Sequence, residues 1–217
     1  MIDSFRHKGL RKKLVEKLSE KGIKDNRVLE AINKIPRHLF IDTAFLNFAY
    51  QDKAFPIGSG QTISQPYTVA FQTQLLDISP YDKVLEVGTG SGYQAAVLYL
   101  LETDVYTIER QKELFEKTKQ FLPTLGYNCK FFYGDGYKGL SKFMPFDKII
   151  VTCGAPFIPE NLITQLKVGG RMVVPVGKGD IQVMHHIEKI SETENKITTH
   201  GNFSFVPMLN NREQGSN

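Results

Sequence analysis

Hydrophobic residues at the start of the chain recur at the spacing of amphipathic helices. A leucine stripe repeats every four residues and predicts a first helix that ends at residues 21–22, where a glycine follows the last turn. Asp25 is a favourable N-cap for a second helix, and Pro36 ends that helix because proline disfavours helical backbone in the residue before it. The members of the stripe are Leu10, Leu14 and Leu18.

The next segment, residues 36–66, is punctuated by glycine and proline. It predicts an irregular stretch that is unusually long for a compact domain, and loops of that length often serve as lids or binding loops. A further helix is predicted directly afterwards, over residues 66–76, with Pro66 in its first turn.

From residue 83 onward, short apolar runs alternate with helical patterns, which predicts an α/β fold with a doubly wound, mostly parallel sheet and right-handed crossovers. One helix is predicted over residues 111–122, with Pro123 closing it, and a turn at residues 168–170 introduces the last buried run. Residues 182–205 are rich in strand formers without helices between them, which predicts antiparallel closing strands. The predicted buried strands are residues 84–87, 105–108, 131–133, 148–151 and 171–175.

The apolar run at residues 84–87 ends in a glycine-rich turn, the most informative segment of the chain. Gly88, Gly90 and Gly92 follow at two-residue intervals, and residues 94–98 then begin a helical pattern. Glycine allows positive φ and lets a ligand approach the backbone without meeting a Cβ atom. A helix start offers unpaired N–H groups. Strand, turn and helix together predict the floor of a pocket for a nucleoside-bearing cofactor.

Acidic residues mark the ends of three successive predicted strands. Glu86 lies two residues before the first glycine, and Glu109 ends the second strand, about twenty residues on, where a carboxylate can accept hydrogen bonds from ribose hydroxyls. Asp135 lies between two glycines directly after the third strand. Because the carboxyl ends of strands in an open α/β sheet border one crevice, we expect these residues to surround one ligand.

Each of these features also has a purely structural interpretation. Glycines are common in tight strand–helix turns, and Asp135 between two glycines could simply stabilise a turn. Glu109 could act as a cap or pair with Arg110 or Lys112 at the surface. One crevice nevertheless explains all three features together, and the G-x-G-x-G spacing differs from the G-x-G-x-x-G of dinucleotide sites.

Composition narrows the class of protein. The 217 residues suit one compact domain, and the hydrophobic content of 41% and charged content of 23% are ordinary for a soluble globular protein. Net charge is +4, and we expect the basic patch at residues 6–13 to be the solvated face of a helix rather than a nucleic-acid site. No membrane-length apolar run or signal-peptide core is present, so a cytoplasmic location is expected. Cys129 and Cys153 suggest two reduced thiols, and no cluster has zinc spacing, so no metal is expected.

A further set of sequence blocks carries a family resemblance. The most specific is Gly-Gln-Thr-Ile-Ser-Gln-Pro at residues 60–66, and the others occur in order along the chain, at residues 35–40, 50–58, 85–94, 134–136, 146–152, 168–171 and 205–207. In these blocks the chain resembles the protein-L-isoaspartate O-methyltransferases from about residue 30 to residue 208. Departures are minor: Ser59 stands where an aromatic residue is frequent, and Cys153-Gly154 where small residues such as alanine are usual.

The resemblance implies a Rossmann-like class I methyltransferase fold in one domain, residues 1–217, with S-adenosylmethionine as methyl donor. Within it, residues 1–66 would form N-terminal helices and an active-site loop, residues 67–180 the cofactor-binding core, and residues 181–217 a β-rich segment and tail. The implied acceptors are L-isoaspartyl and D-aspartyl residues of damaged proteins and peptides. A monomer without nucleic-acid or membrane partners is expected.

The resemblance also implies roles for individual residues. Ser64 is implied to be the catalytic residue, although beside Pro66 it could instead only precede the next helix as a cap. The implied wall around the methionine part of the cofactor contains Glu86, Gly88, Thr89, Gly90, Ser91 and Gly92. The implied ribose ligand is Glu109, the implied adenine contacts are Asp135 and Gly136, and the implied closing loop is Gln61, Thr62, Ile63 and Ser64.

The chemistry that this family performs needs little from the protein in the way of proton transfer. A carboxylate acceptor, with a pKa of about 4, is already ionised at neutral pH, so no general base is required. Three other functions stay open from the sequence: a methyltransferase with a small-molecule or RNA acceptor, a nicotinamide-dependent oxidoreductase, and a non-catalytic binding module. The spacing of the glycines argues against the oxidoreductase.

Overall fold

A computed structural model describes residues 3–213. The termini of the predicted domain, residues 1–2 and 214–217, lie outside the described residues. The two predicted N-terminal helices are confirmed as α1 (Phe5–Glu20) and α2 (Asn26–Lys34). Asp25 caps α2 as predicted, because its side chain accepts a hydrogen bond from the Arg27 amide at 2.9 Å.

Residues 36–66 contain more structure than the predicted loop. Two short 3-10 helices, Arg37–Phe40 and Thr43–Phe48, precede a small antiparallel hairpin of β1 (Phe55–Gly58) and β2 (Gln61–Ile63). Strands of four and three residues are too short to show a recognisable alternation in sequence. Helix α3 (Pro66–Leu76) follows with the predicted bounds.

The main sheet confirms the predicted architecture. In the described part of the chain it has seven strands in the order β5-β4-β3-β6-β7-β8-β9. The pairs from β5 to β7 are parallel, and β8 and β9 pair antiparallel at the closing edge. The elements are β3 (Lys83–Val87), α4 (Tyr93–Leu100), β4 (Asp104–Glu109), α5 (Lys112–Thr124), β5 (Lys130–Tyr133), β6 (Phe146–Val151), α6 (Glu160–Gln165), β7 (Leu166–Val176), β8 (Gln182–Lys189) and β9 (Asn195–Phe203).

Two local predictions are corrected, and one short helix was missed. Helix α5 continues through Pro123 to Thr124, since a proline in the last turn removes only one hydrogen bond. The predicted turn at residues 168–170 lies inside β7, where Gly169 has φ of 81° and the register with β6 shifts. The six-residue helix α6 is not predicted, because so short a helix has little periodicity.

The two faces of the sheet pack against separate hydrophobic clusters, and β3 contributes to both. Val84 belongs to the cluster that contains α1 to α4, whereas Leu85 and Val87 belong to the opposite cluster. Successive strand residues point to opposite faces, so Glu86 lies on the same face as Val84. Within residues 3–213, no helix combines the length and the apolar character needed to span a bilayer.

Candidate active site

A cavity lies between β2 on one side and the turns that follow β3, β4 and β6 on the other. Its position at the carboxyl ends of parallel strands is the one predicted from the acidic and glycine-rich corners. Residues 206–209, beyond β9, close another side of it. Among the predicted site residues, those that line the cavity are Gln61, Thr62, Ile63, Ser64, Gly88, Thr89, Gly90, Ser91, Glu109 and Gly136.

The glycine turn after β3 forms the floor of this cavity and is tied to its neighbours by hydrogen bonds. Gly88, Gly90 and Gly92 have φ angles of 101°, 51° and 82°, which residues other than glycine rarely adopt. The Gly88 amide donates to the Ile108 carbonyl at 2.9 Å. The Thr118 hydroxyl of α5 donates to the Gly90 carbonyl at 2.7 Å. The turn is therefore held rigidly between two elements of the core.

Glu109, at the end of β4, is the acidic group that faces the cavity. It is only 5% exposed, and its two carboxylate oxygens accept from the backbone amides of Gly90 at 2.9 Å and Gln111 at 2.8 Å. Burial raises the pKa of Glu109, while the amides of Gln111 and Gly90 oppose that shift. The suggested surface pairing with Arg110 or Lys112 is wrong: none of the salt bridges found among residues 3–213 includes Glu109.

Three predicted site residues do not line the cavity, and the structure gives each a supporting position. Gly92 caps α4, and a Cβ there would lie 2.5 Å from Leu122 Cδ1. Asp135 accepts from the Tyr137 amide at 2.9 Å and so begins the 3-10 helix that carries Gly136. The local contacts of Asp135 are thus those of a residue that stabilises a turn, as the structural interpretation suggested.

Glu86 is the third predicted site residue that does not line the cavity. Its side chain is fully buried on β3, and neither carboxyl oxygen has a hydrogen-bond partner among residues 3–213. Burial raises its pKa to about 8; the nearby Thr107 hydroxyl opposes this shift, and the charge of Glu109 adds to it. Burial thus favours the protonated, uncharged form of Glu86, which lies behind the glycine turn.

Ser64 lies where the cavity meets a second, wider groove. The two spaces share Thr62, Ser64, Thr152 and Val206 as lining residues. The groove continues along α3 and the end of β9, past Tyr67 and residues 200–205. A molecule bound in the cavity and a second one in the groove would thus meet at the Ser64 loop.

Comparison with known proteins identifies the family. The family model of protein-L-isoaspartate(D-aspartate) O-methyltransferase (PCMT) matches residues 9–213. The chain belongs to this family. Protein-L-isoaspartate O-methyltransferase of Flavobacterium johnsoniae is 57% identical over 213 residues, which cover 98% of this chain and 100% of that protein. The enzyme of the same name from Dictyoglomus thermophilum is 49% identical, covering 94% of this chain and 92% of its own.

Solved structures agree with the family assignment. A protein-L-isoaspartate O-methyltransferase superposes with a TM-score of 0.84 at 30% identity, covering 93% of this chain and 66% of its own length. A Plasmodium falciparum chain, solved in complex with S-adenosyl-L-homocysteine, superposes with a TM-score of 0.80 at 24% identity, covering 93% and 99%. The chain therefore has the class I methyltransferase fold of this family.

Several lining residues are not among the predicted cofactor-binding residues. Thr152 and Cys153 follow β6, so the strand-end argument that identified Glu109 could have included them. Residues 206–209 line the cavity because they pair with the segment after β6: the Gly154 amide donates to Val206, and the Met208 amide donates to Gly154, both at 2.8 Å. Only the fold brings this distant segment to the site.

A cluster of potential metal ligands lies elsewhere, although no metal was expected from the sequence. Atoms of Asp3, His7 and His38 lie within 4.8 Å of one another. Both Asp3 oxygens are occupied by the Arg11 guanidinium, at 3.1 and 3.0 Å, and the Nδ1 of His38 lies 2.7 Å from the Tyr50 hydroxyl. These contacts describe a hydrogen-bonded network that joins α1 to the segment after α2.

Proposed function

We propose that this chain transfers a methyl group from S-adenosylmethionine to the free α-carboxylate of L-isoaspartyl residues in damaged proteins and peptides, which initiates their repair. D-aspartyl residues are proposed as further acceptors. The observation that carries the proposal is the family match over residues 9–213, together with a serine-bearing loop at the junction of the cofactor cavity and an open groove.

Glu109 gives the cavity a group that suits the ribose of the proposed cofactor. Each oxygen of this buried carboxylate accepts one backbone amide, so further lone pairs are available on the cavity side. A carboxylate with such capacity is suited to the two hydroxyl donors of a ribose. When bound, S-adenosylmethionine supplies an electrophilic methyl group on its sulfonium sulfur.

The remaining cofactor contacts are proposed from the same wall. Residues 88–92 would face the methionine part, with Glu86 supporting the turn from behind. Gly136 would face the adenine, held in place by Asp135, and its lack of a Cβ is required because such an atom would lie 2.5 Å from Val87 Cγ1. Residues 61–64 would close over the donor.

The acceptor needs orientation rather than activation. An α-carboxylate is ionised at neutral pH, so the protein has no proton to remove from it. The Ser64 hydroxyl is proposed to donate a hydrogen bond to this carboxylate and to hold one oxygen in line with the methyl group. Exclusion of water by the loop helps further, since positive charge on the sulfonium is lost as the new bond forms.

An isoaspartyl peptide would lie in the groove beside Ser64. The isoaspartyl linkage routes the main chain through the side chain and leaves the α-carboxylate free to enter the junction. Residues 57–64 and 205–207 are proposed as the walls that offer backbone hydrogen bonds to the passing peptide.

We further propose that the enzyme acts as a cytoplasmic monomer, without nucleic-acid or membrane partners. Both cysteines are free, and burial raises the pKa of Cys129 and of Cys153 to about 12, which suits thiols that stay reduced. Light scattering on the purified protein tests the monomer: a mass near 24.6 kDa is expected, and a multiple of it would contradict the proposal.

The experiment that tests the proposed reaction is a methyl-transfer assay with labelled S-adenosylmethionine and an isoaspartyl peptide, followed by mild base. A carboxyl methyl ester is base-labile, so the label should be released as methanol. Base-stable label, on an amine, an RNA base or a small molecule, would favour the alternative that the enzyme methylates another acceptor.

A further inference from the structure

Arg37 is the largest fully buried side chain in the described part of the protein. Its guanidinium donates through Nη2 to the carbonyl oxygens of Ser64 at 2.9 Å and Lys53 at 3.3 Å. Its Nε and Nη1 have no hydrogen-bond partner among residues 3–213. The salt bridges of these residues include three other arginines and not Arg37.

An unpaired buried cation is unfavourable, because removing a charge from water costs several kcal/mol unless a counter-charge compensates it. Arginine cannot escape this penalty by losing its proton at neutral pH. Arg11 shows the usual solution in the same molecule: it is 5% exposed, and Asp3 pairs with it at 3.0 Å. Among residues 3–213, Arg37 therefore carries a positive charge without a salt-bridge partner, and the carboxylate of Asp52 acts on it only from beyond salt-bridge distance.

The position of Arg37 indicates where that charge acts. The guanidinium touches the backbone of Ser64, at the junction of the cofactor cavity and the groove. On its other side it lies 4.7 Å from the ring of Tyr93, which follows the glycine turn and also lines the cavity. The charge is thus located directly behind the point where the acceptor carboxylate would bind.

We propose that Arg37 is a positioning and specificity-determining residue that makes the Ser64 site selective for an anionic acceptor. Its charge, which has no salt-bridge partner among residues 3–213, attracts the α-carboxylate of the substrate through the Ser64 loop, and its hydrogen bond to the Ser64 carbonyl fixes that loop. This inference rests on the proposed methyl transfer to a carboxylate.

The charge should act mainly on substrate binding. The acceptor carboxylate loses its negative charge as the methyl ester forms, so the attraction is stronger in the bound substrate than in the transition state. An interaction of this kind lowers KM and does not raise kcat. If Arg37 only held the Ser64 loop in position, its replacement would lower kcat instead.

Two substitutions separate these roles. Arg37→Gln keeps an amide donor for the Ser64 carbonyl but removes the charge, and we expect it to raise the KM for an isoaspartyl peptide about ten-fold or more while kcat changes less than about three-fold. Arg37→Lys introduces an ammonium whose pKa falls on burial, so its KM should approach the wild-type value as the pH is lowered from about 8 to about 6. The matched control is Arg11→Gln, which also removes a buried guanidinium and should leave KM unchanged.

The outcomes are distinguishable. If the wild-type protein does not methylate the isoaspartyl peptide, the proposed function fails, whereas an unchanged KM in Arg37→Gln overturns only the present inference. Equal increases of KM in the Gln and Lys variants at about pH 6, or a loss confined to kcat, also overturn it. If neither variant folds, the wild-type enzyme still gives a test by competition: the neutral α-carboxamide of the isoaspartyl peptide should inhibit about ten-fold more weakly than an isoaspartyl competitor, and equal inhibition contradicts a role for charge.

Discussion

The carboxylate of Glu109 accepts a hydrogen bond from the backbone amide of Gly90 at 2.9 Å, so the end of β4 is joined to the glycine turn after β3. This contact couples the group proposed to bind the ribose to the floor beneath the methionine part of the cofactor. The two segments of the cofactor site are consequently positioned as one unit.

Replacing this carboxylate should weaken cofactor binding. In Glu109→Gln the side-chain NH2 group would face one of the two backbone N–H groups, so that one hydrogen bond is replaced by a donor–donor contact. The other hydrogen bond would lose the contribution of the negative charge. We expect the affinity for S-adenosylhomocysteine to fall about ten- to hundred-fold by titration calorimetry. Glu116→Gln, an exposed residue of the neighbouring helix, is the control, and equal affinities in the two variants would remove Glu109 from the site.

Ser64 should affect turnover and not cofactor affinity. Ser64→Ala removes the hydroxyl proposed to orient the acceptor, so kcat for an isoaspartyl peptide should fall about ten- to hundred-fold. Affinity for S-adenosylhomocysteine should stay within about three-fold, because the glycine turn and Glu109 are unchanged. Ser141→Ala, at an exposed serine that lines neither the cavity nor the groove, should retain activity. Unchanged turnover in Ser64→Ala would exclude the serine from the mechanism.

The buried acid Glu86 should make stability depend on pH. Its pKa is raised from 4.5 to about 8 by burial, so the neutral side chain supports the fold fully below about pH 4.5, and this contribution is lost as the pH rises through about 8. Glu86→Gln stays neutral throughout. Between about pH 6 and about pH 9 the Tm of the wild-type protein should therefore fall more than that of the variant. Parallel curves would contradict the raised pKa.

Gly92 and Gly126 have nearly the same backbone conformation but different surroundings. Replacing each by alanine therefore distinguishes the cost of a steric clash from the cost of backbone strain. Gly92 and Gly126 have φ of 82° and 87°, but a Cβ would meet Leu122 at 2.5 Å and Thr118 at 2.7 Å only at Gly92. In urea unfolding, Gly126→Ala should lower the free energy of unfolding by about 1 kcal/mol, from backbone strain alone. Gly92→Ala should lower it by at least about 1 kcal/mol more, from overpacking. Equal decreases in the free energy of unfolding would show that the α5 side chains move aside without an energetic cost.

The sheet and the cofactor turn could be predicted from sequence because their signals are local. A buried apolar run such as residues 84–87, followed by spaced glycines, carries strand, turn and helix in one segment. The hairpin of β1 and β2 and the short helix α6 could not be found this way, since elements of three to six residues show little periodicity.

The finer parts of the site depend on packing between distant segments. Arg37 lies in the stretch that the sequence predicts to be irregular, yet it is fully buried and donates to the carbonyl of Ser64, 27 residues away. Glu86 precedes the glycines as a cofactor ligand would, but strand alternation directs it to the core, behind the turn. In both cases burial, which a single sequence does not display, decides what the residue does.

The central claim is that this enzyme methylates the carboxylate exposed by an isoaspartyl linkage. The most direct measurement is mass spectrometry of two peptides of identical sequence, one with isoaspartyl and one with normal aspartyl, incubated with the enzyme and S-adenosylmethionine. The account predicts a gain of one methyl group, removable by mild base, on the isoaspartyl peptide only. Equal methylation of both peptides, or of neither, would contradict it.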